Sequence, residues 1–166
     1  MDFIIRKGRK EDLAQVLALI KELAEYERAP EEVENTIEQM LEDGFGNNPI
    51  FNFEVAERDN VIIGAAIYYT KYSTWKGKKF YLEDLIVTEA ERGKKVGKAL
   101  FDRCLELTKA GGFHSMVWQV LDWNEPAINF YRKYSTTFDT EWVDCSLKPW
   151  KLAINLQKPS NFNDLS

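Results

Sequence analysis

Histidine and cysteine are almost missing from this chain, and that narrows the chemistry before any motif is read. One histidine, His114, stands among 166 residues. With that one imidazole available, a His-based triad is close to excluded and a His-rich metal site is excluded, and His114 reads as a strand-start residue. The two cysteines, Cys104 and Cys145, are far apart and form no CxxC pair, so neither a disulfide framework nor a zinc site is expected. Long hydrophobic runs are lacking too. The longest, Val61–Tyr69, is strand-sized, far short of the roughly 18–20 residues of a spanning helix. Met1 to Lys7 carries no secretory pattern, and we expect a cytoplasmic protein. There is no basic excess: 22 Lys and Arg face 27 Asp and Glu, a net charge of −5. Neither nucleic acid nor a membrane is therefore the expected partner.

What is present is the composition of a globular chain, 45% apolar and 30% charged. The length suits one domain, expected at 1–158, with a polar tail at 159–166. Phe3–Arg6 reads as a short strand. Over Glu11–Glu27, Leu13, Val16, Leu17, Ile20, Leu23 and Ala24 recur at three- and four-residue steps, which predicts an amphipathic helix. Thr36 and Gln39 form a capping-box pattern opening a second helix that stops before Gly44. Asn52–Arg58 and Val61–Tyr72 predict a hairpin across Asp59-Asn60, its second arm apolar on both faces and so central. A charged turn at Lys76–Lys79 leads into a strand over Phe80–Val87. A helix then runs to Ala110, closed by Gly111-Gly112. His114–Val120 reads as a strand, and Asn124 caps a helix from Glu125 to about Tyr134. Glu141–Ser146 and Trp150–Leu156 read as a closing pair of strands. The order is β-α-α-β-β-β-α-β-α-β-β, a mixed α/β chain with antiparallel strands first and a β-α-β crossover after them.

Three segments carry candidate chemistry. Arg92-Gly93-Lys94-Lys95-Val96-Gly97-Lys98 joins a strand to a helix start, where backbone N–H groups lack intrahelical partners and the helix dipole is positive. Its glycines permit close approach and its four cations add charge. It reads either as a cradle for a diphosphate or as a solvated basic helix start, and matches neither a Walker loop nor GxGxxG. In Tyr81-Leu82-Glu83-Asp84-Leu85-Ile86-Val87, two carboxylates interrupt an apolar strand. Regular pleating sends them to opposite faces, so one meets a helix-covered side or cleft unless both lie at an exposed strand end. A buried one suits a general base. Tyr131 lies two turns into its helix, in line with Ala127, a position that also suits an amphipathic core tyrosine.

Together these residues resemble the GNAT superfamily of acetyl-CoA-dependent N-acetyltransferases, and within it the spermidine/spermine (diamine) and thialysine N-acetyltransferase group. The resemblance runs from about Phe3 to Leu156. It is carried in order by Ile20–Glu27, Leu41–Gly46, Tyr81–Asp84, Arg92–Gly97 and Trp123–Tyr131. It implies a GNAT-like fold, a central mixed sheet of six to seven strands with four helices. Leu85, Ile86 and Val87 would offer backbone groups to the pantetheine arm. Arg92, Gly93, Lys94, Lys95, Val96, Gly97 and Lys98 would hold the diphosphate, with Asn124 and Ala127 beside the cofactor. Tyr131 would be the general acid that protonates the departing thiolate, and Glu83, through water, would help take the proton from the amine. Tyr26, Glu27, Trp75, Glu83 and Asp84 would line the amine pocket. The implied activity is acetyl transfer from acetyl-CoA, a co-substrate, to a primary amine of a small diamine or polyamine, by a homodimer that needs no metal. A thialysine- or lysine-like side chain is the alternative substrate, and a noncatalytic acyl-CoA sensor the alternative class.

The sequence departs from the group at several positions. Lys95 stands where the turn has its first glycine, and a left-handed backbone there would be strained. Ser135 stands where a glycine follows the tyrosine helix. Ser73 replaces an acid two residues before Trp75, and Val143 and Cys145 occupy later acidic and aromatic pocket positions. The pocket changes at Ser73, Val143 and Cys145 favour a short amine, a diamine or a lysine-like amino acid, over a long polyamine.

Overall fold

The computed structural model describes residues 2–148, which fall into two compact units divided between Leu121 and Asp122. The first unit is built on a five-stranded sheet: β1 (Ile4–Lys7), β2 (Asn52–Arg58), β3 (Val61–Ser73), β4 (Gly77–Val87) and β5 (Met116–Val117). The spatial order is β1-β2-β3-β4-β5, antiparallel throughout except for the parallel β4–β5 pair. Three helices belong to it: α1 (Leu13–Tyr26), α2 (Ile37–Phe45) and α3 (Val96–Ala110). The second unit contains α4 (Glu125–Arg132).

Period-two alternation in β2 assigns the two faces of the sheet. Phe53 and Val55 join Ala65, Ile67 and Ile86 in a core with Leu13, Val16, Leu17 and Leu19 of α1 and Met40 of α2. Glu54, between them, is buried on the other side. Its carboxylate accepts from Arg103 of α3 at 3.1 Å and from the Tyr68 hydroxyl at 3.3 Å. That is how a charge is tolerated there: it is paired and hydrogen-bonded. Gly64 brings the start of α3 onto β3. A Cβ there would lie 2.8 Å from the Ile86 carbonyl oxygen, 3.1 Å from Leu100 and 3.2 Å from Val96.

Local signals behave as expected at several places. The Thr36 side chain accepts from the Gln39 N–H at the start of α2. The β2–β3 turn, Asp59 and Asn60, has φ of 50° and 64°, as a two-residue hairpin with the right-handed strand twist requires. Elsewhere the structure differs. The β3–β4 turn falls at 74–76, not at Lys76–Lys79, because Gly77 (φ 77°) already opens β4 opposite Ser73. β5 pairs with β4 only at Phe80 and Tyr81, so the strand expected over His114–Val120 shrinks to two residues. Among the described residues the sheet has five strands rather than six to seven. Glu141–Ser146 forms no ladder with another described segment, and its Trp142 and Val143 are exposed. A strand needs a neighbour to satisfy its backbone groups, and the expected partner, Trp150–Leu156, lies outside the described residues, as does the tail at 159–166.

Candidate active site

A defect in the β3–β4 ladder shapes the site. The register runs from Gly64↔Val87 to Ile67↔Asp84 and resumes at Tyr68↔Leu82, so Glu83 is an extra, bulged residue. The bulge overturns the expectation that Glu83 and Asp84 point to opposite faces. Asp84 takes the side of its cross-strand partner Ile67, which belongs to the α1 core. Glu83 lies close enough to the hydroxyl of Tyr69 for its charge to act on it. Tyr69 lies two residues from Ile67 and therefore on the same side, its ring stacked on Tyr81 at 4.9 Å. Both carboxylates thus face the α1 layer.

The electrostatics follow from this gathering. Glu83 is exposed and Asp84 half-buried. Burial, then the charges of Glu83 and Glu27, push the Asp84 carboxyl up to about 6. Burial also raises Glu27, the C-cap residue of α1, where the negative end of the helix adds to the local field. The Tyr69 hydroxyl is pushed up to about 12, by burial first and the Glu83 charge second. Acids that hinder one another's ionisation in this way are relieved by a bound cation. Tyr26, the last residue of α1, stands at the edge of this group with the Arg92 guanidinium 4.9 Å from its ring centroid.

Arg92 begins the turn that leads to α3. The loop before it is gripped by α1: the Thr88 hydroxyl donates to one Glu22 carboxylate oxygen at 3.0 Å and the Glu89 N–H to the other at 2.6 Å. Arg58 holds Glu91 at 2.7 Å, and Arg92 Nε donates to the Val87 carbonyl at 3.2 Å. Gly93 (φ 77°) and Lys95 (φ 68°, ψ 8°) are both left-handed. Glycine takes that conformation freely, whereas Lys95 carries about 1–2 kcal/mol of strain. Ser135, the other residue standing in for an expected glycine, is left-handed as well (φ 56°). Lys94 pairs with Glu91 and Lys98 with Asp102, and Arg92 lies 3.9 Å from Glu22. Lys95 has no ion-pair partner among the described residues.

This turn fits a diphosphate. An added Cβ at Gly93 would meet nothing within 4 Å, and one at Gly97 only Val87 at 3.5 Å, so the protein does not fill the space over this backbone. The α3 N-terminus supplies N–H groups and positive potential beside the cations. The neighbouring edge of β4 is also open. β5 pairs no further than Tyr81, so no strand among the described residues lies along Leu85, Ile86 and Val87 on that side.

The remaining expected residues are placed as follows. In α4 the Asn124 side chain accepts from the Ala127 N–H at 3.3 Å. Tyr131 is buried, and its carbonyl accepts from the Thr136 hydroxyl at 2.8 Å. Trp75 is 86% exposed at the β3–β4 hairpin tip. From Ile67↔Asp84 to Ser73↔Gly77 the ladder covers six residues of β3, roughly 20 Å. Within this chain Trp75 therefore does not join Glu27, Glu83 and Asp84. Sequence reasoning missed three contributors. Glu22 looks like any solvated helix acid, and no signal marked it. Tyr69 looks like strand core. Gly64 did carry a signal, a glycine inside an apolar strand, that sequence reasoning left unused.

A parallel strand that stops short beside a glycine-bearing strand-to-helix turn leaves an open strand edge next to an anion-binding helix start. The Acetyltransferase (GNAT) family model matches residues 14–135, and the chain belongs to that family. It is 35% identical over 136 residues to thialysine N-epsilon-acetyltransferase of Mus musculus, covering 77% of this chain and 80% of that protein. It is 36% identical over 136 residues to spermidine/spermine N(1)-acetyltransferase-like protein 1 of Homo sapiens, covering 78% of this chain and 20% of that one. Among solved structures, an aminoglycoside acetyltransferase from an uncultured soil metagenomic sample, in complex with sisomicin, superposes with a TM-score of 0.71. It is 20% identical and covers 89% of this chain and 96% of that chain, a likeness of fold.

Proposed function

We propose that this enzyme moves an acetyl group from acetyl-CoA to the primary amine of a small cationic molecule, a diamine or polyamine in the first reading. A lysine-like side chain is the second reading, favoured by the 35% identity to a thialysine enzyme. The observation that carries the proposal is the bulge at Glu83, which gathers Glu83 and Asp84 on the α1 face beside Glu27, on the element that leads into the Arg92–Lys98 turn. Bound acetyl-CoA supplies an activated thioester carbonyl. Arg92, Gly93, Lys94, Lys95, Val96, Gly97 and Lys98 would hold its diphosphate, Leu85, Ile86 and Val87 would offer the open strand edge to its arm, and Asn124 and Ala127 are the further residues assigned to the cofactor by the family resemblance.

The chain's own groups manage the protons. An alkylammonium with a pKa near 10.4 costs about 4–5 kcal/mol to deprotonate at pH 7. Asp84 and Glu27 hold the cation, and Glu83, open to solvent, draws off its proton through water. Tyr131 gives its hydroxyl proton to the sulfur that leaves as an N–C bond forms and the C–S bond breaks, and the second proton, lost from nitrogen as the amide forms, passes through water to restore the tyrosine hydroxyl. Tyr26 completes the amine pocket within the chain, Trp75 would reach it only from the second copy of a homodimer, and that homodimer acting in the cytoplasm is part of the same proposal.

The test is thiol release from acetyl-CoA in the presence of a panel of small amines, with the product weighed by mass spectrometry. One acetyl group gained per thiol released is the expected result. Tight cofactor binding with no release on any amine would overturn the proposal in favour of a noncatalytic acyl-CoA sensor. Light scattering reads the oligomer directly.

A further inference from the structure

β3 and β4 run on past their neighbours as a two-stranded ribbon, and the α1 side of that ribbon has an ordered charge pattern. After the carboxylate level at Ile67↔Asp84 comes the stacked pair Tyr69↔Tyr81, then Lys71↔Lys79. Residues two apart on a strand share a face, so the three levels form one strip. Two lysines directly opposite each other across a ladder repel and weaken it. Among the described residues neither is in an ion pair, in a chain where acids outnumber bases. Lys71 instead folds back along the strip, its Nζ 5.0 Å from the centroid of the Tyr81 ring.

That return brings the ammonium to the tyrosine level, two residues of β3, or roughly 7 Å, from the carboxylates. The strip therefore offers negative charge at one end, positive charge one short molecule away, and an aromatic floor between. A diamine held by its first ammonium would bring its second against Lys71 and Lys79. A molecule with an amine at one end and a carboxylate about 7 Å along satisfies both ends. The side chain of a lysine-like amino acid has that length.

We infer that Lys71 and Lys79 select the acceptor by its carboxylate, so that the preferred substrate is the side-chain amine of a lysine-like amino acid and not the diamine that lacks the acid group. The inference rests on the amine acetyltransferase reading and decides between its two substrate classes. Three probes isolate the charge: lysine, 1,5-diaminopentane, which is lysine without its carboxylate, and 6-aminohexanoate, which lacks the α-amine. Steady-state kinetics on each, and calorimetric binding of each to the cofactor-free protein, are measured for wild type, Lys71→Gln, Lys79→Gln, the double variant, and Lys71→Glu with Lys79→Glu.

Wild type is expected to favour lysine and 6-aminohexanoate over the diamine by about tenfold or more, the size of two solvent-screened charge contacts. The double glutamine variant is expected to bring the three to within about twofold of one another, mainly through KM and the binding constants, and the double glutamate variant to reverse the order. A wild-type preference for the diamine, or equal losses on all three probes, would overturn the inference and leave the acetyltransferase reading standing. Failure of every probe to bind or react would overturn both.

Discussion

Replacing Asp84 with asparagine removes one negative charge from the gathered acids and leaves the side-chain shape nearly unchanged. The carboxyl ordinarily titrates at 3.8 and is pushed up to about 6 in the folded protein by burial and by Glu83 and Glu27. Between those two values the folded state keeps a proton that the unfolded state has released. Stability therefore falls as pH rises through that window. Below it the penalty vanishes; above about pH 6 it is complete, on the order of 2–3 kcal/mol. Asp84→Asn lifts the penalty, so the variant should be more stable than wild type by roughly 5–10 °C in Tm at pH 8. Near pH 4 the gain should shrink to about 2 °C or less. Thermal unfolding followed by circular dichroism from pH 4 to 8 measures this. Alkylamines should raise Tm at pH 8 in wild type and much less in the variant, because the cation is bound by the charge that was removed. A stability difference that stays flat across the pH range, or a variant less stable at pH 8, would refute the idea that like charges crowd at this bulge.

Three further outcomes are expected. Tyr131→Phe should lower turnover by about 10²–10⁴ while cofactor affinity measured by calorimetry stays the same; undiminished turnover removes Tyr131 from the proton path. Lys95→Gly should stabilise the fold by about 1 kcal/mol by relieving its left-handed backbone, and should weaken binding of CoA more than of pantetheine, which has no phosphates; equal changes for both ligands would count against the diphosphate assignment. Gly64→Ala should destabilise by about 1–3 kcal/mol in urea unfolding, since its methyl would press on the Ile86 carbonyl and on Leu100 and Val96 of α3.

Periodic and capping signals were legible because they depend on near neighbours in the chain. The apolar stripe of Leu13, Val16 and Leu17 makes α1, Thr36 caps α2, Asn124 caps α4, and Asp59-Asn60 closes its hairpin. The cations and glycines of Arg92–Lys98 were legible for the same reason, as was the strain that Lys95 would bear in a left-handed turn. The short β5 was not legible, because a strand's length depends on a partner that its own residues do not specify.

The site divides along the same line. Residue order alone determined that two acids interrupt an apolar strand and that a basic, glycine-bearing turn precedes a helix. Only the tertiary structure decided where those acids point. The slip between Ile67 and Tyr68 is a property of the β3–β4 pair, and it turns Glu83 to the side of Asp84. The grip of Glu22 on Thr88 and Glu89, across 66 and 67 residues of chain, is likewise invisible until the helix has docked. The physical reason is common to both: side-chain direction within one element follows from local pleat or helical repeat, whereas register and docking are settled by burial against elements distant in sequence.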